Sequence, residues 1–186
     1  MSTTTMDTDD VLGRSRTHAL EHPTPFQRLV ATDGIAPTIA RLGLGLVILP
    51  HALQKAFGMF GGHGLAGTYD SFTQMMPGPI AFLAIAAEIF GVLSLVFGFL
   101  TRLGAIAIAA VMLGATFLVH LPNGFFMDWE GTMQGEGYEF HLLALTLCLV
   151  ALIKGGGLFS VDRLLMHREP TREGKMNPAF AKVTQG

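Results

Sequence analysis

Glu88 stands near the middle of AFLAIAAEIFGVLSLVFGF, residues 81–99, and no other residue of that stretch carries charge. A charged side chain at mid-depth in a hydrocarbon layer costs at least about 2.5 kcal/mol, so such groups turn toward the protein interior and pair or protonate. A carboxyl held that way can give or take a proton. Three histidines are placed to work with it. His51 lies two turns before the end of one apolar segment, His120 ends another, and His141 falls in the first turn of a fourth, just after Glu139. Imidazole changes charge near neutral pH and ligates metals. Glu88 and His51 are therefore candidate acid–base groups, and His51, Glu88, His120 and His141 are candidate ligand-binding groups. Three histidines and a carboxylate can hold Zn²⁺ or Cu²⁺, and His120 with His141 can ligate a haem. No HxxxH or ExxH pair occurs, so the residue types leave the identity of any metal or haem open. A structural role for Glu88, hydrogen-bonded across a helix bundle, also stays open.

Four apolar segments must position these side chains: about Ile35 to Phe57, Pro79 to Leu100, Leu103 to Leu121 and Tyr138 to Ile153. Each approaches the ~20 residues that cross a hydrocarbon core of about 30 Å, although the last is short. Half of the 186 residues are hydrophobic and 14% are charged, too few charges for the surface of an ordinary soluble domain. The expected fold is all-α, a four-helix transmembrane bundle over residues 35–157. Residues 1–34 form a tail in which PFQRLVATDG is a candidate interfacial helix, and residues 158–186 form a second tail. Helical phase at 100° per residue agrees with convergence. Arg41, Ile48, His51 and Lys55 share one face of the first segment, and Ala81, Ala84 and Gly91 flank Glu88 on the second. Small residues there allow close helix approach or leave room for a ligand.

Lysine and arginine set the orientation. Eleven of the twelve lie in the two tails, at the start of the first segment, in the turn at Thr101-Arg102 or, as Lys154, just after the fourth segment; Lys55 is the exception. The positive-inside tendency then puts both termini in the cytoplasm and two longer loops outside an inner, plasma membrane. The first of these, GMFGGHGLAGTYDSFTQMMPG, reads as a Gly-rich mobile loop. The second carries Phe125, Phe126 and Trp129 among acids, as an interfacial belt or a lid. Glu88 is expected at the floor of an outward-opening pocket roofed by His51, His120 and His141. Cys148 is the only cysteine, which excludes an internal disulfide or CxxC pair. The net charge of −2 gives no nucleic-acid footprint.

Longer stretches resemble a known family. AAEIFGVLSLVFGFLTRLGA (86–105) is similar to the E-x-x-G…G-x-x-T-R-L-G-A hairpin of DoxX membrane proteins. RLGLGLVILPHALQKAFG resembles their first helix, with Ala52 where glycine usually follows the histidine, and GEGYEFHLLALTLCLVALIKGGGLFSVDRLL (135–165) resembles their closing segment. The family pattern picks out His51, Lys55, Glu88, Arg102, Glu139 and Asp162, while His120 lies outside its motifs. The resemblance implies a four-helix inner-membrane protein in a redox setting, since relatives include membrane subunits of thiosulfate:quinone oxidoreductases. It makes a quinone the implied cofactor, with Lys55 or His51 on a carbonyl and Glu88 or a histidine supplying protons. A lipid bilayer, redox-complex proteins and a second copy of the chain are the implied partners. Two other functions fit the same residues: a non-enzymatic anchor for soluble redox proteins, and a small-solute or metal transporter.

Overall fold

The computed structural model describes residues 34–168, with side chains through 166, and every regular element among them is helical. Helix α1 is Ala36–Phe57, α2 Gly64–Thr73, α3 Gly78–Phe97, α4 Thr101–Ala115, α5 Glu139–Lys154 and α6 Val161–Arg168. α4 runs on through a π turn at Thr116–His120 and a 3₁₀ turn at Leu121–Asn123. The candidate interfacial helix in PFQRLVATDG lies outside the described residues, apart from its last glycine.

Three stretches are long and apolar enough to cross a membrane: Ala36–Phe57, Gly78–Phe97 and Thr101–Asn123. α5 has 16 residues and rises only about 24 Å at 1.5 Å per residue, short of a hydrocarbon core of about 30 Å. α1 packs against α3 and α5, α3 against α4, and α4 against α5. Their shared core is aliphatic, with Leu44 and Ile48 from α1, Val92 and Leu95 from α3, Ile108 from α4 and Ala144 from α5. The outward faces are equally apolar. Leu46, Phe82, Phe117 and Leu143 are all more than half exposed in the isolated chain. In water such a surface would aggregate; in lipid it is solvated.

α3 and α4 approach closely at one end and part at the other. A Cβ on Gly91 would come within 2.6 Å of Ile108 Cγ1, and one on Gly104 would collide with Ser94. The sharp turn between the two helices comes at Gly98–Leu100, three residues before the expected Thr101-Arg102, which instead opens α4. Gly98 adopts φ +67° and faces Ser160, so a side chain there is excluded twice over.

This end is tied by Arg41, which is 1% exposed. Its guanidinium donates to the carbonyls of Gly156 (2.6 Å), Leu95 (2.7 Å), Val96 (2.9 Å) and Phe159. Asp162, also buried, accepts from the backbone N–H groups of Leu100 (2.7 Å) and Thr101 (2.9 Å) and so caps α4. Residues 158–166 of the expected C-terminal tail are thus partly docked against the helices, through Ser160 and Asp162.

The opposite, loop end differs from the sequence expectation. The Gly-rich segment after α1 carries α2, which packs on α1 and α3. Its glycines cluster at the approach, and the run LAGTYDSFT that follows is free to coil. Thr68, the buried residue of α2, bonds the Lys55 carbonyl.

Candidate functional site

The parting of α3 and α4 opens a cavity of about 710 Å³ at the loop end. Small residues make the space: Ala84 and Ala87 on α3, and Ala110, Gly114 and Ala115 on α4. Phe72, Met75 and Met76, at and beyond the end of α2, wall it near the loops, and Phe140 closes the α5 side. The lining is apolar except where His51, Lys55, Glu88, His120, Glu136 and His141 reach it. The volume lies in the range of small-molecule pockets, about 300–1,000 Å³.

All five candidate ligand-binding residues border this one cavity, each placed by a different local cause. Glu88 is 1% exposed and paired with Lys55, whose Nζ lies 2.7 Å from Oε1 and 2.5 Å from Oε2. Lys55 sits in the last turn of α1 with 29% of its side chain exposed. Its long stem carries the charge inward while the chain turns at Gly58. Pro50, inside α1, removes one backbone donor just before His51.

His51 is not in the roof. Position 45 of α1 abuts Leu95 and Val96 of α3. Counting from that contact, His51 lies about 9 Å toward the loop end and Glu88 about 10.5 Å, at ~1.5 Å per residue. The two are level. His51 is exposed in the isolated chain and faces Phe140, with ring centroids 6.5 Å apart.

His120 and His141 form a pair nearer the loops, with ring centroids 4.2 Å apart and planes tilted by 40°. The π turn of α4 delivers His120 to this position; such turns widen a helix and often mark functional sites. Nδ1 of His120 lies 2.8 Å from the carbonyl oxygen of Glu136. A carbonyl accepts only, so Nδ1 carries the hydrogen and Nε2 is the free acceptor of the neutral ring. His141 is buried, and its Nδ1 has no hydrogen-bond partner among the described residues.

The remaining family positions serve the frame. Arg102 bonds the α5 carbonyls of Leu152 and Ile153. Glu139 accepts from Met127 N–H at 3.2 Å. Trp129, 86% exposed, and Phe126 project from the loop rather than into the cavity. Among the described residues, no three His, Cys, Asp or Glu side chains are grouped as a metal site requires. Sequence reasoning missed Glu136 and the methionines Met75, Met76, Met112 and Met127 in the lining. Nothing in their spacing marks them: loop folding and the end of α2 bring Glu136, Met75, Met76 and Met127 there, and Met112 is one apolar residue among many on α4.

Residues 36–121 match the family model for DoxX. The chain is also 24% identical, over 144 residues, to a Haemophilus influenzae protein described as uncharacterized; the alignment covers 75% of this chain and 89% of that protein. No solved structure matches the chain. The closing segment, 135–165, lies beyond the family match, whereas α1, α3, α4 and the residues His51, Lys55, Glu88 and His120 lie within it. The chain thus has helices apolar enough to span a bilayer and carries, over residues 36–121, a match to the DoxX family of membrane proteins.

Proposed function

We propose that the chain is a four-helix bundle of the inner membrane, both termini cytoplasmic, that binds a quinone headgroup in its cavity as a subunit of a membrane oxidoreductase system. The loop end is then the outer end, and α5 is the fourth span. Its exposed Leu143, Leu149 and Ile153 suit contact with lipid, and its length is met by local thinning of the bilayer.

The observation that carries the reading is the Lys55–Glu88 pair on the wall of an otherwise apolar 710 Å³ space. A pure scaffold gains little from a buried ion pair, because the desolvation penalty offsets the attraction. A ligand with an apolar body and polar oxygens gains from it directly. A quinone, when bound, contributes carbonyl acceptors and takes up protons together with electrons delivered by a redox partner. Lys55 Nζ donates to a carbonyl oxygen. Glu88 accepts the lysine's hydrogen bonds and holds its ammonium at that depth. His51, level with Glu88, reaches the same zone and can donate a second hydrogen bond. The alanines of α3 and α4 leave room for a ring.

Oxidised-minus-reduced optical spectra test this, recorded on protein in native-lipid nanodiscs. Wild-type discs are expected to retain quinone above the amount in discs carrying the Lys55→Met/Glu88→Gln double variant. Equal amounts in both would remove the quinone and leave the anchor reading, with partner recovery as the next measurement.

A further inference from the structure

We propose that the cavity is proton-connected to one face of the membrane only, and that His120 and His141 form the connection. Protons taken up or released at the Lys55–Glu88 pair exchange with the aqueous phase on the side of Glu136, not with the side of Arg41. The proposal concerns the same cavity but does not require its ligand to be a quinone.

The groups form a graded series. At the loop surface, Glu136 accepts from Asp128 N–H at 2.7 Å through its carboxylate and receives His120 Nδ1 on its carbonyl. His120 is half-buried, and its ring lies against that of His141. His141 is 6% exposed and within electrostatic reach of His120, His51 and Lys55. Lys55 holds Glu88. The α2 side contributes Phe72, Met75 and Met76, none of which titrates, so among the described residues these groups and His51 are the titratable lining. His120 is built to pass a proton: with Nδ1–H committed to a carbonyl, Nε2 is the basic atom. The unpartnered Nδ1 of His141 fits the same role, since a static structural histidine has that atom satisfied.

On the other side of Glu88 the path is shut. Ile48, Val92, Leu95 and Ile108 are each at most 1% exposed, and Gly91 and Gly104 bring the helices too close for water. Beyond them the donors of Arg41 are engaged by four carbonyls. A cation so occupied passes no protons, because a guanidinium does not release them in proteins.

The test uses the full chain, uniformly oriented in liposomes and without ligand. The Glu88 carboxyl is followed by its infrared C=O band, assigned by its loss in Glu88→Gln. Acid is added to one compartment while the other is held at neutral pH. The band is expected to rise when the loop side is acidified and to stay still when the other side is. A response to the opposite compartment overturns the proposal. His141→Phe is expected to slow the loop-side response at least about tenfold, a modest share of what a positioned acid–base group supplies. An unchanged rate in a folded His141→Phe protein overturns the role of the pair. Should that variant fail to fold, His120→Gln provides the same comparison at a half-buried site, and the wild-type sidedness stands by itself.

Discussion

Removing one partner of the Lys55–Glu88 pair should hurt more than removing both, and the two single removals should differ. Lys55→Met leaves Glu88 at 1% exposure with no counter-charge. Breaking a buried pair from one side costs about 3–5 kcal/mol. Glu88→Gln leaves a lysine already 29% exposed, whose ammonium can swing toward the loops while its stem stays packed. Its loss should be smaller, about 1.5–3 kcal/mol, the value of a hydrogen bond to a charged group. The double variant Lys55→Met/Glu88→Gln carries no buried charge and should lie within about 1 kcal/mol of wild type, since apolar replacement of a buried pair is often neutral. The cycle then yields a coupling of at least about 3 kcal/mol in favour of the pair. Reversible unfolding in mixed micelles, monitored by circular dichroism against the mole fraction of denaturing detergent, measures all four proteins. Additive losses would refute the claim that the pair is one coupled unit. A larger loss for Glu88→Gln than for Lys55→Met would refute the burial argument behind the ordering.

Gly114 lines the cavity, and a Cβ there would meet nothing within 4 Å. Gly114→Leu should therefore fold, helped by up to about 1 kcal/mol of helix propensity, yet displace any ligand; retained quinone in nanodiscs would contradict this. Gly104→Ala drives a methyl into Ser94 and should destabilise by about 1–3 kcal/mol as α4 is pushed off α3, read as a lower unfolding midpoint. Arg41→Met strips the donors from four carbonyls and should cost at least about 3 kcal/mol or abolish recovery of folded protein, while Arg41→Lys, lacking the planar fork, should rescue it only in part. With Cys148→Ser as background, cysteines placed at Trp129 and at Met166 should react with an impermeant maleimide from opposite sides of the membrane; labelling from the same side would break the proposed topology.

The helices were legible because lipid imposes a length: a run of about twenty apolar residues has few other uses, and the ends of α1, α3 and α4 with its continuation to Asn123 fall within about three residues of where hydropathy puts them. α2 was hidden because Gly64 and Gly67 weaken the local helical signal, and its stability comes from packing on α1 and α3. The inward turn of Glu88 could be read from its isolation among apolar neighbours. Its partner could not, because Lys55 reaches it from the end of another helix. The placing of His51 level with Glu88 depends on how α1 slides against α3, a tertiary quantity set at Gly45 and Leu95. The work of Arg41 was likewise out of view. Its acceptors are backbone carbonyls as far along the chain as Phe159, and a carbonyl carries no mark in a sequence.

That distance has a consequence for biosynthesis. The chain is made from its N-terminus, and α1 enters the membrane while residues 156–159 have yet to be translated. Until they arrive, the Arg41 guanidinium lacks the acceptors at Gly156 and Phe159, and those of Leu95 and Val96 come only with α3. An unmet charge of this kind is costly in hydrocarbon and draws toward the interface, so α1 is held back near the headgroups or beside the insertion machinery. The segment at 156–159 thus releases the first helix to its final depth. A ribosome that stalls before Gly156 leaves a product whose leading helix is still unseated, and that exposed defect gives membrane proteases a way to tell an unfinished chain from a finished one.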